Sequence, residues 1–235
     1  RLAEAEQLNS ELIANVSHEL RSPITRIRVM AESLENNSSR DKSLATIQHI
    51  CTEVDTLNDL VGDLLQAASL EQSDHLKAAQ QFEDVDLKGL LLQLADRYQQ
   101  RMGASQLQLQ LPETSAFMRA NARSLNQLVG NLLDNALAAT DGSATAKIGL
   151  ELARYDDHYT ISVSDNGYGI ADKDLEHIFR KFYRADASRS RATGGVGLGL
   201  AIAQQLAHAH GGELAVESTH GQGSCFSLKL PIIKS

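Results

Sequence analysis

The apolar positions of this chain fall into two regimes. Up to about residue 70 they recur every three or four residues, the spacing that lines side chains along one stripe of a helix. Ile47, Ile50, Val54, Leu57, Val61, Leu64 and Ala68 make an unbroken heptad seam. Ile13, Val16, Leu20, Pro23, Ile27, Met30 and Leu34 make a weaker one, and the polar run Asn36 to Asp41 between the two is turn-forming. The pattern predicts an antiparallel helical hairpin over 1–70. Two such arms bury little by themselves, so the hairpin is expected to pair with a second copy into a four-helix bundle. Residues 71–84 are polar, have no apolar period and read as a linker.

Over 85–235 the pattern changes to that of a second domain. Asp86 can cap a helix running through Leu87, Leu90, Leu91 and Leu94. Leu107 to Leu111 alternates strictly, as a strand half buried on one face does. A helix follows around Leu125 to Ala139. Ile148 to Leu152 and Tyr159 to Val163 then alternate about Asp156 and Asp157, which predicts a hairpin. A last helix, about Leu198 to His210, precedes strands near Leu214 to Glu217 and Cys225 to Leu230. A mixed sheet with helices on one side is the simplest packing of these elements, so the fold class is α+β.

Composition narrows the possibilities. The 235 residues are 42% hydrophobic, and no run reaches the roughly 18 apolar residues of a membrane span. A net charge of −8 argues against nucleic acid as a partner. The chain starts at Arg1 inside a helical pattern and reads as a piece of a longer protein whose upstream part could hold a membrane segment. Cys51 and Cys225 lack metal-type spacing and are expected to be buried free thiols in a reducing compartment.

The chemistry concentrates at five places. His18, in Ser17-His18-Glu19-Leu20-Arg21-Ser22-Pro23, falls opposite the apolar seam and should be exposed. Glu19 beside it could accept the hydrogen bond of one ring nitrogen and leave the other free to attack. Pro23 deprives the Glu19 carbonyl of its helical partner, so this turn should be loose. On spacing alone, a solvated histidine near an incidental kink stays open.

Asp165-Asn166-Gly167-Tyr168-Gly169 follows a strand, where glycines let backbone approach a ligand and a buried carboxylate can accept from an exocyclic amine; a plain turn stays open. Gly195-Val196-Gly197-Leu198-Gly199 opens a helix, where backbone amides can hold phosphate. It lacks the strand that a dinucleotide-binding loop requires directly before it. Between these loops Arg180, Lys181, Arg184, Arg189 and Arg191 form a basic segment suited to cover a polyphosphate, or a solvated charged loop. Asn131 and Asn135, four apart on a helix, could complete the oxygen shell of phosphate-bound Mg²⁺ or be surface asparagines.

Taken together these residues resemble the cytoplasmic core of a membrane-bound sensor histidine kinase of two-component systems, over nearly the whole chain. The stretch around His18 is similar to the phosphoacceptor box, Asn131 to Ala136 to the N box and Asp165 to Gly169 to the G1 box. Phe179 to Arg184 is similar to the F box, Gly195 to Leu200 to G2, and Gly221 to Phe226 to the final glycine box. The resemblance implies a GHKL-type α/β sandwich after the hairpin, autophosphorylation of His18 from Mg·ATP, and transfer to an aspartate of a response regulator. It further implies Glu19 as the activating carboxylate and Ser22 as part of a phosphatase motif. Asn131, Asn135, Asp165, Gly167, Gly169, Lys181, Arg184, Gly195, Gly197, Leu198 and Gly199 are the implied nucleotide-binding residues, with Asn135 at the metal. A homodimer is implied, anchored to the cytoplasmic membrane through an absent sensor. The family pattern is broken at Ser22, where threonine or asparagine is usual, and at Ala138 and Ala139, which replace a basic residue and an aromatic. The rival readings are a GHKL ATPase that ignores His18 and a dimeric scaffold whose nucleotide pocket is dead.

Overall fold

The computed structural model describes residues 20–34, 43–44, 46–51, 53–54, 57, 61–62, 82–102, 106–140, 145–185 and 197–232. Residues 20–34 form a helix (α1), and helical residues recur between 43 and 62 (α2). Along α1 the expected seam is the sheltered side: Pro23 is buried, Leu20, Ile27, Met30 and Leu34 are half-buried, and Ile24 and Val29 face solvent. The Arg26 guanidinium holds Glu53 of α2 through two hydrogen bonds of 2.7 and 2.9 Å. That contact draws the Glu53 carboxyl below the usual carboxylate range. An exposed pair of this kind contributes at most about 1 kcal/mol, so it aligns the arms more than it stabilises them. Ile47, Val54 and Val61, seven apart on α2, stay 42–46% exposed, an apolar stripe left over after the arms have packed. His18 and Glu19, with the loosened turn expected there, lie outside the described residues.

The remaining elements are β1 (Glu83–Asp86), α3 (Leu87–Met102), β2 (Gln106–Gln110), β3 (Phe117–Ala120), α4 (Ala122–Thr140), β4 (Lys147–Arg154), β5 (His158–Asp165), α5 (Asp172–Leu175), α6 (Gly199–Ala209), β6 (Glu213–Thr219) and β7 (Gly223–Pro231). Glu83 and Asp84, assigned to the linker by their polarity, in fact open β1, which pairs antiparallel with β3. Neither strand is visible in the sequence pattern, because each has four residues and alternation needs more. Asp86 does cap α3: its carboxylate accepts from the Lys88 amide at 3.2 Å and also from Ala116 at 3.3 Å.

The main sheet runs β2-β4-β5-β7-β6, with β2 parallel to β4 and the other pairs antiparallel. Its period of two sorts the strands onto faces. Ile148, Leu150, Leu152, Tyr159, Ile161, Val163, Phe226, Leu228 and Leu230 all point into one core with α3, α4 and α6. Ser162, Ser164 and Ser227 take the opposite face and are half-buried. β2 departs from expectation: Leu107 is half-buried but Leu109 is 40% exposed, because an edge strand is only partly covered. The cysteines depart too. Cys51 is exposed on α2 and only Cys225 is half-buried, both as free thiols.

Helices α3 and α4 are held chiefly by apolar burial. Leu87, Leu91, Leu94, Leu125, Leu128 and Leu132 are almost wholly buried, each contributing about 1.5–3 kcal/mol over exposure. Tyr98 adds a buried hydrogen bond from its hydroxyl to the Gly130 carbonyl at 3.0 Å. The Arg101–Asp134 pair between the same helices is half exposed and contributes less, about 0.2–1 kcal/mol.

One buried histidine makes the domain acid-sensitive. His210 is 4% exposed; its Nδ1 donates to the Leu206 carbonyl at 2.7 Å and its Nε2 accepts from the Asn121 amide at 3.2 Å. These partners assign a neutral ring with its proton on Nδ1. Burial pushes its pKa down, outweighing the bonds to the Leu206 and Asn121 backbone. Below the ordinary value of about 6.5, the unfolded chain therefore takes up a proton that the folded one refuses. From this site stability falls with pH, by up to about 1.4 kcal/mol per unit, until the folded-state pKa is reached. Melting temperatures between pH 7.5 and 5.5 should thus fall more steeply for the wild type than for His210→Gln. Equal slopes would contradict this.

Candidate nucleotide pocket and phosphoacceptor arm

β5 delivers the carboxylate. Because Tyr159, Ile161 and Val163 point into the core, alternation sends Asp165 to the same face at the end of the strand, where it is only 9% exposed. Its Oδ1 accepts from the Gly167 amide at 2.8 Å. Its Oδ2 is buried and makes no hydrogen bond among the described residues. Burial pushes this carboxyl up from its ordinary value, and the nearby Gly167 and Ser224 amides draw it part of the way back. A sealed acceptor without a donor is costly, on the order of 1–3 kcal/mol, and it fits an incoming N–H group. The exocyclic amine of adenine is such a group.

The loop after Asp165 is seated on other backbone. Tyr168 N donates to the Ala139 carbonyl at the end of α4, and the Tyr168 carbonyl accepts from Gly221 N at 2.7 Å. Ile170 N donates to Ser218 Oγ at 2.8 Å. A Cβ on Gly167 would collide with the Ala139 carbonyl, and one on Gly169, held at φ +63°, with the Thr219 carbonyl. These two glycines therefore make room for the protein's own chain, where the sequence reading assigned that freedom to ligand approach. A small cavity of about 210 Å³ lies beside the loop, lined by Ala139, Thr140, Thr145, Ala146, Asn166, Gly167 and Tyr168.

The N box contributes two different contacts. Asn131 Nδ2 donates to the Gly199 carbonyl at 3.0 Å, so this asparagine ties α4 to the first residue of α6. Asp134 faces away and receives Arg101 of α3 at 2.9 Å. Asn135, one helical turn after Asn131, is half-buried. At the start of α6, Leu198 is buried and forms no side-chain cap, which leaves the first-turn amides to other acceptors.

The F box reaches this loop. Phe182 adopts a left-handed φ of +66° and its amide donates to the Gly197 carbonyl at 2.8 Å. Tyr183 Oη donates to Asp174 of α5 at 2.7 Å, and Phe179 packs edge-on against Phe226. The chain before and after residues 186–196 is thus bonded together. Lys181 and Arg184 are half-buried at that junction, while Gly195 and the intervening arginines lie outside the described residues.

On the phosphoacceptor arm, Ser22 is half-buried in the wall of a groove of about 550 Å³ between α1 and α2. Arg21, Thr25, Arg26, Val29, Met30, His49 and Glu53 line the rest of it. The structure seats the Asp165 loop against the C-terminal end of α4, through Gly167 and Tyr168 on Ala139, and the start of α6 against the middle of the same helix, through Gly199 on Asn131. Ser218 and Ser224, which support the Asp165 loop, carried no sequence signal beyond their nearness to the last glycine box.

Two family models match the chain: the His Kinase A phospho-acceptor domain over residues 8–73, and the histidine kinase-, DNA gyrase B- and HSP90-like ATPase over residues 120–234. The chain is 36% identical over 230 residues to the sensor histidine kinase RppB of Synechocystis, across 96% of this chain and 50% of that protein. It is 31% identical over 229 residues to the sensor histidine kinase WalK of Bacillus subtilis, across 96% of this chain and 37% of that protein. A solved structure of full-length ShkA in complex with AMPPNP superposes with a TM-score of 0.67 at 28% identity, covering 96% of this chain and 46% of the other. The chain therefore spans between about a third and a half of the curated relatives it matches. A phosphoacceptor arm joined to an ATPase domain places the chain among the sensor histidine kinases of two-component systems, as a piece of their catalytic core.

Proposed function

We propose that this chain is the core of a dimeric ATP:protein-histidine phosphotransferase. The observation that carries the reading is the buried, unpartnered Oδ2 of Asp165, in an ATPase domain covalently joined to the arm that bears His18. In the transfer a ring nitrogen of His18 forms a bond to the γ-phosphorus of ATP. The bond from that phosphorus to the β,γ-bridging oxygen breaks, and ADP leaves. Glu19 accepts the hydrogen bond of the other ring nitrogen and so keeps the attacking lone pair free. The Asp165 carboxylate orients the base, and the amides at the start of α6 receive phosphate oxygens. Asn135 would offer its amide oxygen to Mg²⁺, which when bound neutralises part of the triphosphate charge. Lys181 and Arg184 add positive charge at the same end of the pocket.

The exposed stripe Ile47, Val54 and Val61 supports a homodimer through a four-helix bundle. Among the described residues no helix is long and apolar enough to cross a membrane; anchoring of the whole protein to a membrane is proposed from the likeness to sensor kinases alone. The domains are proposed as 1–70, 71–84 and 85–235, with β1 assigning the last two linker residues to the ATPase unit. The phosphoryl group then passes to an aspartate of a response regulator, and Ser22, four residues after His18 in sequence, assists its later hydrolysis. A chain loaded from γ-labelled ATP and freed of nucleotide should pass its label to one member of a panel of receiver domains far faster than to the others. Label that moves to none of them would overturn the transfer step.

A further inference from the structure

His210 lies outside the nucleotide pocket, yet it closes one end of the helix pair that forms it. α6 leaves the pocket at Gly199, where Asn131 of α4 holds the Gly199 carbonyl, and ends at His210, which accepts from the Asn121 amide just before α4. Asn121 to Asn131 and Gly199 to His210 are each about 15 Å of helix, so the two helices run antiparallel and α6 is bonded at both its ends to the first half of α4. Asn121 also caps α4, its Oδ1 accepting from Ser124 N at 2.9 Å. Immediately after His210 the chain turns through Gly211 and Gly212, whose amides return to the His208 and Ala207 carbonyls. The ring is thus fixed along α6 as well as against α4.

The other face of the imidazole carries Phe82, stacked with ring centroids 5.0 Å apart and planes inclined by 19°. Phe82 is the linker residue directly before β1, and its carbonyl accepts from Arg119 of β3 at 2.8 Å. Three parts of the chain therefore meet on one buried ring: the end of the linker, the start of the N-box helix and the end of the phosphate-side helix. No charged side chain contributes to holding the ring neutral; burial does.

We propose that His210 is a positioning residue for nucleotide binding, fixing the alignment of α6 on α4 and, through Phe82, tying that alignment to the end of the interdomain linker. This rests on the nucleotide-binding reading above. Removing the ring leaves the buried Asn121 amide without an acceptor and frees α6 to slide, which shifts the Gly197 to Gly199 amides that receive phosphate. Displacements well under a turn are enough, because the first-turn amides act only at hydrogen-bond distance.

The test titrates the whole 235-residue chain with AMP-PNP, at a temperature where circular dichroism shows each variant folded. His210→Ala is expected to weaken binding by about tenfold, the weight of one displaced hydrogen bond. His210→Gln, whose amide oxygen can replace Nε2 as the acceptor, should recover most of the loss. Phe82→Ala should weaken binding in the same direction, and the double variant should be no weaker than His210→Ala alone. Wild-type affinity in folded His210→Ala overturns the proposal, and strict additivity in the double variant overturns its linker half. If His210→Ala does not fold, unchanged affinity in both His210→Gln and Phe82→Ala overturns it in the same way. A wild type that binds no AMP-PNP overturns the nucleotide reading itself, and this proposal with it.

Discussion

Asp165→Ala should bind adenine nucleotides tens to hundreds of times more weakly than the wild type, with little loss of fold. The lost interaction is a hydrogen bond to a charged acceptor inside the protein, worth about 1.5–3 kcal/mol and hence about ten- to a hundredfold in affinity. Disorder of the loop that the carboxylate organises through Gly167 adds to this. Stability should move the other way or hardly at all, because Oδ2 is a buried acceptor without a donor and the substitution removes it. Asp165→Asn sharpens the comparison. It preserves the side chain's shape but can turn an amide donor toward the amine of adenine, so it should bind nearly as poorly as alanine. Calorimetric titration with AMP-PNP beside a thermal melt separates the two effects. Unchanged affinity in a folded Asp165→Ala would remove Asp165 from the pocket.

The site was legible in the sequence where one physical rule decided it. The long period of α4 and the alternation of β4 and β5 could be read directly, because burial of one face sets both spacings. Alternation alone carries Asp165 to the core face, so its burial follows from Tyr159, Ile161 and Val163. β1 and β3 were not legible, since two strands of four residues that pair only with each other are too short for alternation to show. Nor could spacing reveal that Asn131 is spent on the Gly199 carbonyl while Asn135 is not, because that depends on where α6 comes to rest. Gly167 and Gly169 were found as glycines, but the Ala139 and Thr219 carbonyls that require them are distant in sequence. His210 follows the same pattern: two of its three partners, Phe82 and Asn121, are distant from it in sequence.

The second large effect belongs to His18. If it is the acceptor, His18→Gln should carry no phosphoryl group at all, while its affinity for AMP-PNP stays at the wild-type value. The reason is positional. Asp165, Asn131 and the start of α6 lie in a domain separate from the arm, so replacing His18 removes the acceptor and leaves the nucleotide pocket intact. Glutamine retains a polar side chain on the helix but has no nitrogen with a free lone pair for attack. A phosphohistidine has a P–N bond, which acid cleaves and alkali spares, unlike the esters of serine or threonine. The most direct measurement is therefore incubation with γ-labelled ATP and Mg²⁺, followed by acid and alkali treatment of the wild type and His18→Gln. The wild type should hold acid-labile, alkali-stable label and His18→Gln should hold none. Label persisting in His18→Gln, or its absence from a wild type that hydrolyses ATP as fast as the variant does, would contradict the assignment.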